Sequence, residues 1–350
     1  MGVSILDIAR LAGVSKSTVS AVINRHEHVR KETRERVLDA IRQLDYHPNF
    51  AARELITAEP MNIGIVMPTY TDDGGVGDGR YFRRIDEASN LELVSRLTEY
   101  VSRTRYGVLV EHAVISEGEH HLPSFALSRR VSGVFQISPL VGTEYTEQLR
   151  QYVPAVVEIG VPNPDCDSVF SDFERTAFLS VEYLADHGHK RIAFINCDPA
   201  SRTLEQRMAG YLSGLRKYGI EYRAEWVSCS RFNGQGGYDA FKKIWGARDE
   251  KPTAVICASG IIAGGAVRFM HENGISVPDT VSVISNGDSQ LCEFMTPRIS
   301  VVCRDKDEIA ERAFSLMMER LEDRGLPPRA ILVGDRIIER ESVKRITQES

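Results

Sequence analysis

From Asn62 onward, short runs of apolar residues alternate with longer stretches that are apolar on one helical face only. The runs are five to seven residues long and rich in Val and Ile, a pattern typical of strands buried on both faces. The intervening stretches have helical spacing over residues 174–186, 205–218, 238–245 and 261–272. This alternation predicts largely parallel sheets with helices on both faces. The runs predicted as strands read NIGIVMP, YGVLVEH, GVFQIS, AVVEIG, RIAFINC, TAVICAS, VSVIS and ISVVC.

The number of predicted strands indicates two similar lobes. About eleven or twelve strands are more than one twisted open sheet usually holds. Ligands of such folds bind at the carboxyl ends of strands, so we expect a small-molecule cleft between the lobes. Residues 69–89, rich in Gly, Asp and Arg, interrupt the pattern and predict a long loop before a helix that begins at Ser89 or Asn90.

The first 46 residues follow a different pattern, that of three short helices. Gly13 can adopt the left-handed conformation that ends a first helix over residues 5–12, and Ser15 is a natural N-cap for a second. A third helix is expected over residues 33–44. Three short helices around a small core form a helix-turn-helix unit. The positions expected to face that core are Ile5, Ile8, Ala9, Ala12, Val19, Val22, Ile23, Val37, Ile41 and Leu44.

The outward side of the second helix carries the candidate DNA contacts. Short hydroxyls and a lysine at a helix amino end can reach base edges and phosphates, and the helix dipole favours a phosphate there. The same residue types are ordinary on any solvent-facing helix, so spacing alone leaves that alternative open. The candidates are Ser15, Lys16, Ser17, Thr18, Ala21 and Asn24.

Composition excludes several other classes of protein. A chain of 350 residues that is 42% hydrophobic is a globular protein of several domains. No apolar run is long enough to span a membrane and no secretory signal opens the chain, so we expect a cytoplasmic protein with no membrane partner. The six cysteines form no C-x-x-C pair, and we expect no metal or disulfide framework.

Charge is distributed unevenly along the chain. Residues 1–59 carry nine Lys and Arg against eight Asp and Glu, whereas the whole chain has a net charge of −6. The amino-terminal part is therefore the less acidic one, which is consistent with a nucleic-acid partner.

Long stretches of the sequence resemble the lactose/galactose repressor family. ILDIARLAGVSKSTVSAVIN, followed by VRKETRERVLDAIRQLDYHPNFAAREL, is similar to the amino-terminal DNA-binding region of that family. HGHKRIAFI, RMAGYLSGL, KPTAVICAS, ISVPDTVSVIS and TPRISVV are similar, in order and spacing, to segments of its effector-binding core. The resemblance covers nearly the whole chain.

The resemblance implies a domain organisation. It places an N-terminal, all-α helix-turn-helix DNA-binding domain at residues 1–46 and a hinge helix or linker at 47–60. An α/β core at residues 61–345 follows, two-lobed and similar to periplasmic binding proteins, with parallel sheets and helices on both faces. We expect the first lobe at about residues 61–160 plus 292–323, and the second at about 161–291 plus 324–345.

The resemblance also implies how the second helix reads DNA. In the family, the residues that begin this helix contact bases in the major groove, which here are Lys16, Ser17 and Thr18, with Ser15 near the backbone. Relatives commonly carry arginine where this chain has Ala21. Because a methyl group has no hydrogen-bond donor, we expect no strict guanine requirement at that base step.

The hinge is implied by the same resemblance. Leu55 matches a leucine that wedges into the minor groove, and Ala51 and Ala52 suit a close approach to DNA. The alternative is that Leu55 packs in a connecting helix. Because one recognition helix spans few base pairs, we expect a homodimer on a pseudo-palindromic, double-stranded operator.

For the effector site, the resemblance points to Arg207, Phe232 and Asp288. Each has a structural alternative: a surface pair with Glu205, a core position, and a turn cap, respectively. Ser259 is a fourth candidate effector residue, although Ser259 and Gly260 replace the usual Asn-Asp. Gly287 replaces the first of two aspartates, so groups that grip sugar hydroxyls are missing. Arginines in the 69–89 segment would favour an anionic effector if they reached the cleft; these are Arg80, Arg83 and Arg84.

The functional expectation is a transcriptional regulator, and more specifically a repressor, controlled by a sugar or sugar derivative. We expect no enzyme and no cofactor, because neither a phosphate-binding loop nor a nucleophile elbow is present. The alternative is a bilobed sugar-binding protein without regulatory DNA binding.

Overall fold

The computed structural model divides into two compact units, residues 1–61 and 62–350. Among the helices it describes, none is long and apolar enough to cross a bilayer. The described residues are 4–23, 29–44, 61–71, 82–83, 87–116, 119–120, 122–128, 130–137, 143–197 and 203–346.

The first unit contains helices α1 (Ile5–Ala12), α2 (Lys16–Ile23) and α3 (Lys31–Gln43). The α1 helix has the predicted bounds, and α3 begins two residues before the predicted start. The backbone N–H of Ser4 donates to Asp7 Oδ2 at 3.0 Å, which satisfies a free donor where α1 begins. Gly13 ends α1 with φ 64°, a conformation that glycine adopts without strain. The buried core of the unit is formed by Ile8, Ala9, Ala12, Val19, Val22, Val37 and Ala40.

The second unit alternates strands and helices, as predicted. Its described strands are β1 (Asn62–Thr71), β2 (Phe82–Arg83), β3 (Gly107–Ser116), β4 (Glu119–His120), β5 (Gly133–Ile137), β6 (Ala155–Gly160), β7 (Asp167–Phe170), β8 (Ile192–Asn196), β9 (Val227–Cys229), β10 (Ala254–Cys257), β11 (Ser282–Asn286), β12 (Ser300–Arg304), β13 (Ala330–Leu332) and β14 (Asp335–Ile338). Its described helices are α4 (Glu87–Ser102), α5 (Ser124–Leu127), α6 (Thr143–Tyr152), α7 (Phe173–Asp186), α8 (Leu204–Lys217), α9 (Gly234–Gly246), α10 (Gly260–Glu272), α11 (Gln290–Phe294) and α12 (Lys306–Glu322).

Two sheets form the two lobes. Sheet one has the order β13-β7-β6-β5-β1-β3-β4, with β2 paired to β1, and sheet two has the order β14-β12-β11-β10-β8-β9. Pairs in both sheets are mainly parallel, and β14 joins β12 antiparallel. In sheet two, Ile195 faces one hydrophobic cluster and Phe194 faces the other, so both sides of the sheet are covered. The predicted two-lobed α/β architecture is confirmed.

The strand pairing corrects the predicted lobe boundaries in three places. Residues 167–170 pair with β6 and 330–332 pair with β7, so both segments belong to sheet one. Residues 300–304 pair with β11 and therefore belong to sheet two. The chain crosses between the lobes after β7, after β12 and between β13 and β14. The prediction was wrong because a buried apolar strand looks the same in either sheet.

The long loop predicted over residues 69–89 is corrected near its ends, whereas residues 72–81 and 84–86 lie outside the described residues and the prediction for them stays a prediction. Strand β1 continues to Thr71 and pairs antiparallel with β2, with Tyr70 opposite Arg83. Helix α4 begins at Glu87, earlier than the predicted Ser89 or Asn90. Hydrogen bonding between β1 and β2 thus extends strand structure into a segment that its Gly-rich composition marked as irregular.

A buried histidine in the second lobe predicts a pH effect on stability. His189 is 1% exposed; its Nε2 donates to the Lys344 carbonyl at 3.1 Å, and its Nδ1 lies 3.0 Å from Thr253 Oγ1. Burial lowers the pKa of His189 to about 4. Between pH 6.5 and 4 the unfolded chain therefore binds a proton that the folded chain does not, and stability falls as the pH falls. We expect this histidine to remove about 3 kcal/mol across that window.

Urea unfolding of the wild type and of His189→Gln at pH 7 and pH 4.5 measures this effect. The wild type should lose more stability than the variant, because the glutamine has no proton to gain. Parallel losses in the two proteins would show that His189 does not contribute.

Candidate functional site

The amino end of α2 is organised by Ser15. The Thr18 backbone N–H donates to Ser15 Oγ at 3.2 Å, so Ser15 caps the helix as predicted. The hydroxyls of Ser17 and Thr18 lie 2.7 and 2.8 Å from Ser15 Oγ. This end of the helix therefore presents a compact group of hydroxyls on an ordered backbone.

The outward face of α2 follows from what the helix buries. Val19 and Val22 are buried in the core of the first unit. At about 100° per residue, Ser17 and Ala21 lie on the side of the helix opposite these valines. Ser15, Lys16 and Ser17 are exposed, and Thr18 and Ala21 are half-buried. The candidate DNA-contacting residues in the described part of α2 thus form one accessible surface, which we call the α2 face (Ser15, Lys16, Ser17, Thr18 and Ala21).

Several predicted residues lie outside the described residues. These are Asn24 after α2, and Ala51, Ala52 and Leu55 in the segment 47–60. Arg80 and Arg84 also lie outside them, and Arg83 is described only as part of the β2 backbone. Their predicted roles stay predictions.

In the second unit, polar residues gather where the strands of sheet two end. Ser259 follows β10, Asn286 is the last residue of β11, and Arg304 is the last residue of β12. Arg207 reaches the same region from α8, since its Nη1 donates to the Ala258 carbonyl at 3.3 Å. The carboxyl ends of parallel strands form the usual ligand site of such sheets.

Arg207 is a buried residue of this region. It is 6% exposed, so the alternative of a surface pair with Glu205 does not apply. Its guanidinium carbon lies 4.6 Å from the centroid of the Phe173 ring, and its Nε has no hydrogen-bond partner among the described residues. Burial lowers the pKa of Arg207 to about 10, which leaves it charged at neutral pH. A buried guanidinium with a free donor is suited to bind a ligand oxygen.

Ser259 and Asn286 add two more buried polar groups without partners. Ser259 precedes α10, but its side-chain Oγ makes no capping hydrogen bond. This Oγ is buried and has no hydrogen-bond partner among the described residues. Asn286 Oδ1 accepts from Ser180 Oγ at 2.6 Å, while its Nδ2 is buried without a described partner. Buried polar groups are normally satisfied, so such groups indicate a place that a ligand or water completes.

The other two predicted effector residues have structural partners. Phe232 is half-buried and packs against the hydrophobic core of the second lobe. Asp288 accepts from Nη1 and Nη2 of Arg340 at 2.9 and 2.7 Å, so both of its oxygens are occupied. The structure therefore brings Arg207 and Ser259 together at the strand ends and gives Asp288 a bidentate ion pair.

Asp288 also borders a cavity where the lobes meet. The cavity has a volume of about 280 Å³ and is lined by Glu92 and Arg96 of α4, by Asp288 and by Arg304, among others. Glu92 accepts from the Gln290 backbone N–H at 3.2 Å, which joins α4 of the first lobe to α11 of the second. The junction is thus polar and partly open.

Phe173, Arg304 and Asp335 lie in the same region but were not predicted from the sequence. The Arg304 guanidinium carbon lies 4.9 Å from the Phe173 ring centroid, and its Nε lies 3.3 Å from Asp335 Oδ1. Each residue lies directly beside a crossover between the lobes. Arg304 could have been found as the first charged residue after the run ISVVC, whereas nothing local distinguishes Phe173 or Asp335.

Within the described residues, no group of three or more His, Cys, Asp or Glu is placed to hold a metal ion. None of the six cysteines, all of which the structure describes, forms a disulfide, and five of them are buried.

Two family models match the chain. Residues 4–49 match the bacterial regulatory proteins of the lacI family, and residues 181–343 match a periplasmic binding protein-like domain. The HTH-type transcriptional repressor PurR of Mannheimia succiniciproducens is 30% identical over 98% of this chain and 99% of that protein. PurR of Pasteurella multocida is 28% identical over 97% of this chain and 98% of that protein. These relatives are named as transcriptional repressors and not as enzymes.

Solved structures share the fold. The lac repressor dimer bound to operator and the anti-inducer ONPF has a TM-score of 0.73 at 21% identity, covering 98% of this chain and 100% of that one. The transcriptional regulator CelR in complex with cellobiose has a TM-score of 0.66 at 23% identity, covering 97% of this chain and 99% of that one.

Proposed function

Because the chain belongs to the lacI family of bacterial regulatory proteins, we propose that it is a transcriptional repressor that binds a specific operator and responds to a small molecule. The observation that carries the proposal is the α2 face, which is accessible on a helix that a capped turn and a buried core hold in place. Hydroxyls and a lysine at a helix amino end suit contacts to base edges and phosphates in the major groove.

The proposed repressor works as a homodimer on a pseudo-palindromic operator. One α2 face reaches only a few base pairs, so two copies about one helical turn or more apart supply specificity. The lac repressor structure that shares this fold is a dimer bound to operator, which supports the proposal. The proposed operator binding also includes the hinge role of Ala51, Ala52 and Leu55 and an additional DNA contact from Asn24. Since operator DNA lies in the bacterial cytoplasm, we place the repressor there.

The effector is proposed to bind at the lobe junction, against Arg207 and Ser259. An effector that prefers one arrangement of the lobes shifts operator affinity by the ratio of its affinities for the two states. The CelR structure of the same fold holds cellobiose, which supports a small-molecule role for such a core. The alternative of a binding protein without regulatory DNA binding is not favoured, because the relatives are repressors.

Selection from randomised half-sites with the full-length protein tests the proposal. We expect a selected duplex to bind about a thousandfold or more tighter than random duplex, with no strict guanine at the step facing Ala21. Lys16→Ala should weaken binding about tenfold and flatten the salt dependence, because one cation at the α2 face is lost.

Lys242→Ala is the matched control, since Lys242 is an exposed lysine on α9 of the second unit. It should leave operator affinity unchanged. If no duplex is preferred over random competitor, the proposed function is wrong.

A further inference from the structure

Two arginines, Arg207 buried and Arg304 largely buried at the edge of the cavity, lie against the same aromatic ring at the lobe junction. The guanidinium carbons of Arg207 and Arg304 are 4.6 and 4.9 Å from the centroid of the Phe173 ring. Arg207 is 6% exposed, and the Arg304 side chain is 12% exposed. Because two like charges are held close together away from water, this arrangement requires negative charge nearby.

The protein supplies only part of that charge. Within the described residues, a single carboxylate contacts the pair, with Asp335 Oδ1 3.3 Å from Arg304 Nε. Asp335 Oδ2 already accepts from the Thr176 hydroxyl at 2.7 Å. The nearby Asp288 is bound on both oxygens by Arg340 and does not neutralise the pair. Two guanidiniums and one carboxylate leave one positive charge in excess.

Most of the unused polar atoms of the same region are hydrogen-bond donors; the one acceptor among them, Asp335 Oδ1, already lies 3.3 Å from Arg304 Nε. Arg207 Nε and Asn286 Nδ2 can only donate, Ser259 Oγ can donate as well, and all three are buried without a partner among the described residues. A carboxylate or phosphate group offers several acceptors together with negative charge. A neutral sugar hydroxyl would supply acceptors but would leave the excess charge unpaired.

We propose that the effector of this repressor is a small organic anion whose carboxylate or phosphate group is bound by Arg207 and Arg304. This inference rests on the effector site of the proposed function and names its ligand class. Phe173, Arg304 and Asp335 each lie beside a segment that connects the lobes. An anion bound to them therefore contacts the parts of the chain whose geometry sets how far the lobes close.

Thermal unfolding of the full-length protein tests the proposal at constant ionic strength. The probes are inorganic phosphate, malonate and glucose, each titrated against a chloride reference. We expect phosphate or malonate to raise the midpoint of the two-lobed unit saturably, because ligands that bind the folded state stabilise it. The stronger of the two anions identifies the group as a phosphate or a carboxylate. Arg304→Gln should raise the apparent Kd for that anion about tenfold or more.

Two further variants separate binding from folding. Arg304→Lys keeps the charge and should keep the preference for an anion over glucose, even where it binds less tightly. Arg216→Gln removes an exposed arginine from the same helix as Arg207 and should bind the anion like the wild type. The proposal is overturned if glucose stabilises and neither anion does, if neither anion exceeds chloride, or if Arg304→Gln and the wild type respond alike.

Failure here is distinguishable from failure of the proposed function. Preference for one operator without an anion response would support the proposed repressor function and refute the proposed ligand class. An anion response without preference for any duplex would support the ligand class and refute the proposed repressor function.

Discussion

Asp167→Asn is expected to lower the free energy of unfolding of the two-lobed unit by about 3 kcal/mol or more. The Asp167 side chain is fully buried; its Oδ2 accepts from Arg320 Nε at 2.9 Å and its Oδ1 accepts from the Arg329 backbone N–H at 3.0 Å. These bonds tie β7 to α12 and to the segment that enters β13. An asparagine has nearly the same shape but leaves the charge of Arg320, whose side chain is 11% exposed, without its carboxylate.

Urea unfolding of the full-length protein, followed by circular dichroism, measures this loss. Glu319→Gln is the matched control, because Glu319 pairs with Arg329 at a site where its own side chain is 51% exposed. An exposed pair contributes about 1 kcal/mol or less, so the control should remain close to the wild type. Equal stability of Asp167→Asn and the control would show that the buried pair is not needed.

Ile8→Ala is expected to weaken operator binding about tenfold or more while leaving the two-lobed unit intact. Ile8 is fully buried in a core of seven buried residues. Truncation of a buried isoleucine to alanine costs about 2–5 kcal/mol, which is a large part of the stability of so small a unit. Once most molecules have an unfolded first unit, the apparent Kd for operator rises in proportion, by about tenfold or more.

Fluorescence anisotropy with the selected operator measures the binding, and thermal unfolding reports the second unit separately. Leu38→Ala is the control, since Leu38 lies on α3 of the same unit and is 41% exposed. It should reduce binding only slightly. Retention of wild-type affinity by Ile8→Ala would mean that the packing of α1 does not support the α2 face.

Local patterns in the sequence were sufficient to predict the helices of the first unit and the side of α2 that stays exposed. Gly13 and Ser15 mark the end of α1 and the cap of α2 through their own backbone and side-chain chemistry. The spacing of Val19 and Val22 then fixes which side of α2 is left outside. Each of these features depends on residues within one or two helical turns, so each can be predicted from the local sequence alone.

The candidate effector site was predicted only in part, because distant segments build it. Arg207 and Ser259 were predicted to lie there, whereas Phe173, Arg304 and Asp335 are far apart in the chain and meet only through the crossovers between lobes. Those crossovers depend on which sheet each apolar strand joins. Alternation of apolar and polar residues carries no information about which sheet a strand joins. The predicted lobe boundaries were wrong for the same reason.

The crossovers also determine when the second unit can be finished during synthesis. Sheet one needs β13 and sheet two needs β14, and both strands lie within residues 330–338. Neither half can therefore acquire its last strand until the ribosome has translated beyond residue 330. A premature stop shortly before residue 330 would leave both halves with an unpaired edge at once, which makes the truncated product prone to aggregate.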